Sequence, residues 1–285
     1  MSSGGSYSTL AEALVDDAGL FPPEQLDMES AVARHRRDLA GGDTILTHRF
    51  VCPVPRLTEM GQYVRPGERF QVIALASGLR ELDELRSSAV QERDDRLKIV
   101  SVETALPTQP SQWPAVLQSV SRLKPLRSVN VEVPLGPGLT AALDLIAERG
   151  LDAKVRCGGV RPDLFPSPAQ LASFIEAAIE RGITFKATAG LHHAIGYIDA
   201  ATGFRHYGFL NLLLAVARAQ AGGTVDQLVD DLLSQDRDEM RSRVAALAEA
   251  EVAAARTSFT SFGSCSTSDP VSDLAQLRLL PRARL

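Results

Sequence analysis

Ser128-Val-Asn-Val-Glu-Val133 is followed by Leu139-Thr-Ala-Ala-Leu-Asp-Leu-Ile-Ala-Glu-Arg149, by Gly150, and by Leu151-Asp-Ala-Lys-Val-Arg-Cys157. The first segment alternates valine with polar residues, as a strand does. The second repeats its apolar residues at helical spacing, and a glycine closes it. The third is again a short β-type run. Strand, helix and strand within one short stretch make a βαβ unit with parallel strands and a right-handed crossover.

The unit repeats outward. Upstream, Thr44–Val54, Phe70–Ala76 and Leu97–Glu103 read as strands, and Leu79–Asp94 and Ser111–Leu123 as helices. Downstream, Ser167–Arg181 is a helix closed by Gly182, and Ile183–Ala189 is the sixth strand of the series. A spacing of about 25 to 30 residues fits a (β/α) TIM-type barrel, which takes about 250 residues. It also fits an open doubly wound sheet. The barrel is favoured because no GxGxxG follows the first strand and the unit repeats without a reversal.

The flanks are less regular. Thr9–Asp16 reads as a short helix, broken by Asp17-Ala-Gly-Leu-Phe-Pro-Pro. Leu26–Ala40 is a helix closed by Gly41-Gly42, and the residues between Val54 and Phe70 read as a polar loop. After His193, Gly208–Gln220 is an apolar, buried helix. Thr224–Leu233 and Asp238–Arg256 are amphipathic helices, and Thr257–Cys265 is a final strand and loop. Asp269 and Pro270 open the last helix as N-cap and first residue. An eight-stranded barrel is then one strand short. Either an irregular seventh unit lies near Gly196–Tyr207, or extra C-terminal helices replace it. The whole chain, 1–285, reads as a single barrel domain with an N-terminal arm and helices (1–43) and a helical layer (209–256).

Of the 285 residues, 45% are hydrophobic and 23% charged, an ordinary globular balance. A net charge of -5 argues against a nucleic-acid surface. No apolar run approaches the roughly 18 residues of a membrane span, and Met1–Ser8 lacks the features of a secretory signal. Cys52, Cys157 and Cys265 form no CxxC pair, so no zinc knuckle or disulfide framework is indicated, and a cytoplasmic location is expected. The expected partner is a small-molecule substrate, not nucleic acid or membrane. The alanine-rich helices after Gly222 are an exposed packing layer or a homo-oligomer contact.

Strands covered on both sides are nearly all apolar, so polar residues inside them carry information. Four successive strands hold a polar pair at i and i+2: Ser101 and Glu103, Asn130 and Glu132, Lys154 and Arg156, Lys186 and Thr188. Each pair shares a face, and the C-terminal mouth is where barrels carry chemistry. If these faces point inward, Glu132, Lys154 and Lys186 meet. Two neighbouring lysines favour the neutral amine, a nucleophile toward carbonyls. Glu103 or Glu132 then relays protons. Alternatively, the glutamates simply neutralise Lys154 and Arg156 as an internal ion network.

Phe185-Lys-Ala-Thr-Ala-Gly-Leu191 resembles the Lys-x-Ser/Thr-x-Gly segment of class I aldolases of the deoxyribose-phosphate aldolase type. The resemblance covers about seven residues plus the strand order. In that family the segment is the sixth barrel strand and its lysine forms the Schiff base. A second lysine lies on the following strand; here Lys154, on the preceding strand, would take that part. The resemblance implies Lys186 as the Schiff-base residue.

Small-residue loops point to anion binding at Gly158 and Gly159, and at Gly263, Ser264 and Ser266 before the last helix; the latter loop serves equally as a turn and N-cap. Arg156 and Arg161 add charge. Asn130, Thr188, His192, His193 and His206 are further substrate-contact candidates, with Tyr207 beside them. Asp17 either reaches the site, or Leu20 and Phe21 plug the barrel bottom. Three readings follow. The first is a Schiff-base lyase acting on a small carbonyl metabolite, phosphorylated or not, with no cofactor. The second is a divalent-metal hydrolase or isomerase, in which His192 and His193, joined by Glu132, His48 or His206, hold the ion beside a lysine base. The third is a non-catalytic metabolite-binding barrel.

Overall fold

The computed structural model describes residues 10–87, 94–123 and 126–279. Its strands are β1 (Val15–Asp17), β2 (Leu46–Pro53), β3 (Phe70–Leu75), β4 (Leu97–Ala105), β5 (Ser128–Glu132), β6 (Asp152–Arg156), β7 (Phe185–Thr188), β8 (Tyr197–Ile198), β9 (Arg205–His206) and β10 (Phe259–Ser264). Eight of them, all but β8 and β9, close a parallel barrel in the order β1-β10-β7-β6-β5-β4-β3-β2. β8 and β9 form an antiparallel hairpin of their own. The helices are α1 (Met28–Gly41), α2 (Leu57–Tyr63), α3 (Leu79–Arg86), α4 (Trp113–Ser121), α5 (Leu139–Glu148), α6 (Pro168–Glu180), α7 (Phe209–Gln220), α8 (Val225–Leu233), α9 (Arg237–Ala246), α10 (Glu249–Ser258) and α11 (Ser268–Gln276).

The expected barrel is present, and the missing strand is at the N-terminus. Val15–Asp17, which spans the end of the expected Thr9–Asp16 helix and the break at Asp17, is β1 and pairs with both β2 and β10. Gly196–Tyr207 contributes the β8–β9 hairpin instead of a seventh barrel strand. The strand of Lys186 is therefore the seventh, and that of Lys154 the sixth. The expected loop after Val54 contains α2. The helix expected over Asp238–Arg256 is two helices, because Leu247 and Ala248 are extended (ψ 130° and 154°) and Glu251 accepts a bond from the Ala248 N–H at 2.8 Å. The last helix starts one residue before Asp269; Ser266 Oγ, not Asp269, accepts from the first turn, at the Asp269 N–H (3.2 Å). The helix expected over Leu79–Asp94 ends at Arg86 among the described residues, and residues 88–93 lie outside them, as does the loose start before Leu10.

Local chemistry explains the boundaries. Pro168 sits in the first turn of α6, where its missing N–H costs nothing, and Ser167 with Gln170 closes a reciprocal capping box. Thr224 and Gln227 do the same for α8. α1 begins on Asp27, which accepts from the Ser30 N–H (2.7 Å), and ends on Gly42 at φ 64°. The outward faces of the strands are apolar: Phe50 and Cys52, Val72 and Ala74, Val129 and Val131, Phe185 and Ala187 are all buried against the helical layer. The first nine residues of α7 are buried on every side, because α7 lies between the barrel and the outer helices α8, α9 and α10. Its one polar member, Asn211, donates to the carbonyls of Asp231 (2.7 Å) and Ser234 (2.9 Å) and accepts from Gly196 (2.9 Å).

One irregularity sets the inner face. Val72 pairs with Ile99 but Ile73 pairs with Ser101, so Val100 is an extra residue in β4. Ile99 stays on the outer side, and Ser101 and Glu103 turn into the barrel.

Candidate active site

The register places Lys154 on β6 level with Glu132 on β5 and with Lys186 on β7. All three point inward. Lys186 Nζ donates to Glu103 Oε1 (2.5 Å) and to Asp16 Oδ2 (2.6 Å). Lys154 Nζ donates to Glu103 Oε2 (3.0 Å) and lies 3.1 Å from Glu132 Oε2. Arg156 Nε donates to Glu132 Oε1 at 2.8 Å. At the other end, Asp16 accepts from Arg49 Nε (2.8 Å), Thr47 Oγ1 (2.6 Å) and Ser261 Oγ (2.9 Å). The result is one chain of alternating sign, Arg49–Asp16–Lys186–Glu103–Lys154–Glu132–Arg156, filling space that branched aliphatic side chains usually occupy in such barrels.

Each charge in this chain depends on its neighbours. Burial alone would raise the Asp16 carboxyl, but Lys186 and Arg49 outweigh it and hold it at about 2. Burial likewise opposes ionisation of Glu103, and Lys154 with Lys186 brings it to about 2. Glu132 is also held below its ordinary range, Lys154 and Arg156 overcoming its burial. For Lys154, burial favours the neutral amine, yet Glu103 and Glu132 raise its pKa. This corrects the expectation of two lysines driving one another neutral: a carboxylate stands between them, and Lys154 rests as an ammonium.

Above the ions is a cavity of about 840 Å³ at the C-terminal mouth. Lys154, Lys186, Glu103, Glu132 and Arg156 form its charged floor, and Thr188, Gly159, Gly263, His192 and His206 also line it. These expected site residues are brought together. Others are not. Asn130 lies deeper, donating to Ser101 Oγ and Ser128 Oγ (both 3.2 Å), and faces a separate space at the N-terminal end. His193 turns to Asp273 (3.1 Å), which raises its pKa. Tyr207 donates to the Pro166 carbonyl (2.7 Å), and Arg161 pairs with Asp163 at the surface. Ser264 is wholly buried off the cavity, and Ser266 caps α11. Gly158 serves close packing: a Cβ there would meet Gly190 Cα at 2.9 Å, where the loops after β6 and β7 cross.

Asp17 is corrected by strand alternation. It points outward, accepting from Gly19 N–H (3.0 Å) and Arg34 Nη2 (2.5 Å) and pairing with His35 Nδ1 (3.0 Å) under α1. The loop after it lies at the mouth, where Ala18, Phe21, Pro22 and Pro23 line the cavity, and does not plug the barrel bottom. The three residues proposed as metal ligands diverge: His193 and Glu132 have the partners given above, and His192 Nδ1 faces Cys265 Sγ at 3.5 Å. His48 sits near the start of β2, at the other end of the barrel. Among the described residues no three His, Cys, Asp or Glu side chains group as an ion's ligands would.

Three features had no advance notice. Asp16 is the inward residue of β1; recognising Val15–Asp17 as a strand would have marked it. The His192–Cys265 contact joins distant loops. Burial, then His206 and His193, brings His192 down to about 4, and burial raises the Cys265 thiol, so the pair is a neutral imidazole beside a thiol. Finally, Tyr197 and His206 stack across the hairpin, with centroids 4.8 Å apart and planes 8° from parallel.

No family model matches this chain, and no curated protein does. Among solved structures the chain is similar to a mutant of the organophosphorus hydrolase from Deinococcus radiodurans, at 12% identity and a TM-score of 0.39, covering 69% of this chain and 68% of that one. A likeness of that extent carries no chemistry across. Among the described residues no helix is long and apolar enough to cross a membrane.

Proposed function

We propose that the protein is an enzyme of Schiff-base type that makes or breaks a carbon–carbon bond next to the carbonyl of a small metabolite. The observation that carries this reading is the bridge: one buried carboxylate, Glu103, accepts from two lysine amines at 2.5 and 3.0 Å beneath an open cavity. The family that Phe185–Leu191 resembles uses a lysine on the sixth barrel strand and another on the next. In this barrel those are Lys154 and Lys186. The short motif favours Lys186 as nucleophile. Strand position favours Lys154, and so does access, because its second carboxylate, Glu132, lines the cavity, whereas the second carboxylate of Lys186, Asp16, is fully buried. The proposal assigns the Schiff base to Lys154.

The steps balance within the ion chain. When a carbonyl enters, the Lys154 ammonium gives a proton to Glu132 or Glu103. The free amine forms a C–N bond as the C=O π pair moves to oxygen, which takes that proton. Further proton transfer releases the oxygen as water and leaves an iminium ion. Cleavage of the adjacent C–C bond sends its pair into the iminium as an enamine, while the hydroxyl on the departing carbon gives its proton to Glu132 and becomes the second carbonyl product. Protonation of the enamine carbon and hydrolysis return the amine and the first product. Lys186 stays bonded to Glu103 and, with Lys154, favours the ionised carboxylate between steps.

Borohydride reduction in the presence of a panel of aldehydes and keto acids, followed by peptide mass spectrometry, is expected to locate an adduct on Lys154. An adduct on Lys186 instead would keep the chemistry and reverse the two roles. An intact mass unchanged across the panel would sink the reading.

A further inference from the structure

The floor of the cavity suits a carbonyl, but its walls are of another kind. Phe165, Tyr197, Phe204 and His206 all line it, and each is only half-buried. They form one continuous set of rings. Phe165 and Phe204 lie 4.9 Å apart, Phe165 meets His206 edge-on at 5.1 Å, and His206 stacks on Tyr197. The rings sit on the loop after β6 and on the β8–β9 hairpin, above β6 and β7. In the ring order of the barrel, β6 and β7 stand across from β2 and β3. From β2 and β3 come Val51 and Leu75, which line the cavity too. The space over the lysines is therefore a slot between an aromatic wall and an aliphatic one. Half-buried rings leave apolar area for a ligand to cover, and they prefer offset or edge-on contact with another ring.

An anchor for a phosphate is lacking among these residues. The cavity's cations are each engaged: Lys186 by Asp16 and Glu103, Lys154 by Glu103 and Glu132, Arg156 by Glu132. The serine-rich loop after β10 caps its own helix through Ser266, and neither Ser264 nor Ser266 lines the cavity. We infer that the substrate is an unphosphorylated carbonyl compound bearing an aromatic ring, the ring lying against Phe165, Phe204 and the Tyr197–His206 stack and the carbonyl resting on the lysine floor. The carbonyl half of this assignment rests on the proposed function; the ring half rests on the wall alone.

Calorimetric binding of three probes separates the two halves. Cinnamaldehyde carries ring and carbonyl, cinnamyl alcohol the ring only, and glyceraldehyde 3-phosphate a carbonyl with a phosphate. Both cinnamyl probes are expected to bind at least tenfold more tightly than the phosphorylated one, and borohydride to trap cinnamaldehyde and not the alcohol. Phe204→Leu, which keeps apolar volume, and Phe165→Leu are expected to weaken both cinnamyl probes at least fivefold at an unchanged Tm. Binding of the alcohol with no trapping of any carbonyl would leave the ring assignment standing and remove the Schiff base. Equal or tighter binding of glyceraldehyde 3-phosphate, binding of neither cinnamyl probe, or cinnamyl affinity unchanged in both leucine variants would overturn the inference.

Discussion

At the scale of single residues, the molecule turns on which side chain faces the barrel axis. Asp16 and Asp17 are adjacent, yet one joins the ion chain and the other ties β1 to α1. Asp16→Asn is expected to cut borohydride trapping at least tenfold, by releasing Lys186. Asp17→Asn is expected to cost about 1–3 kcal/mol through its lost bonds to Arg34 and His35, read by denaturant unfolding, with little effect on trapping. Glu103→Gln leaves two buried amines short of a counter-charge, for which about 3 kcal/mol or more of stability is the expected loss. Glu103→Gln with Lys186→Met is expected to recover part of it. The acid limb of stability has a defined sign. Asp16 and Glu103 sit at about 2, below their ordinary 3.8 and 4.5. Between those values the unfolded chain binds protons that the folded chain does not. The network's contribution is therefore whole above about pH 4.5 and is lost as pH falls toward 2. Equilibrium unfolding followed from about pH 5 to about pH 3 is expected to show stability falling, and Glu103→Gln to flatten that slope.

At the scale of elements, the long strands and helices were legible and the short ones were not. The i, i+2 pairs on four strands mark an inward polar face, of which Glu103, Glu132, Lys154, Arg156, Lys186 and Thr188 line the cavity while Ser101 and Asn130 lie deeper. β1 is hidden in the sequence because three residues, Val15–Asp17, offer no apolar run, and the first two read as the end of the Thr9–Asp16 helix. The β8–β9 hairpin has two residues per strand and is held by ring stacking across it, a tertiary contact without local signature. The loop crossing depends on Gly190, at φ 74°, whose added Cβ would meet Gly158 Cα at 2.9 Å. Gly190→Ala is expected to cost more than about 1 kcal/mol and to lower affinity for cavity ligands, since both loops carry lining residues. Ser167→Ala removes only a cap; about 1 kcal/mol is expected, read by unfolding, with trapping unchanged.

At the scale of the whole molecule, the apolar core and the catalytic candidates occupy different shells. The core is the cylinder between strands and helices, reinforced by α7; the interior of the barrel is ionic. Leu212→Ala in α7, at a fully buried position, is expected to cost about 2–5 kcal/mol while trapping per folded molecule stays unchanged. The candidate site is legible as a location, because polar residues in covered strands must face something. Its composition is less so. Burial and ion pairing act across the barrel between residues as distant as Asp16 and Lys186, and only closure of the ring brings them within 2.6 Å.

The extra residue at Val100 has a consequence for how this barrel could have arisen or been varied. Delete Val100, and Ile99 and Ser101 become neighbours on opposite faces, as Val72 and Ile73 are on β3, so Ser101 and Glu103 still face the axis. Both lysines would then keep their shared carboxylate. A single-codon deletion at the bulge would thus spare the charge pattern of the interior, whereas one residue added between Ser101 and Glu103, paired without a further bulge, would turn Glu103 toward the helices, which makes the spacing of β4 as much a part of the candidate site as the identities of the ions.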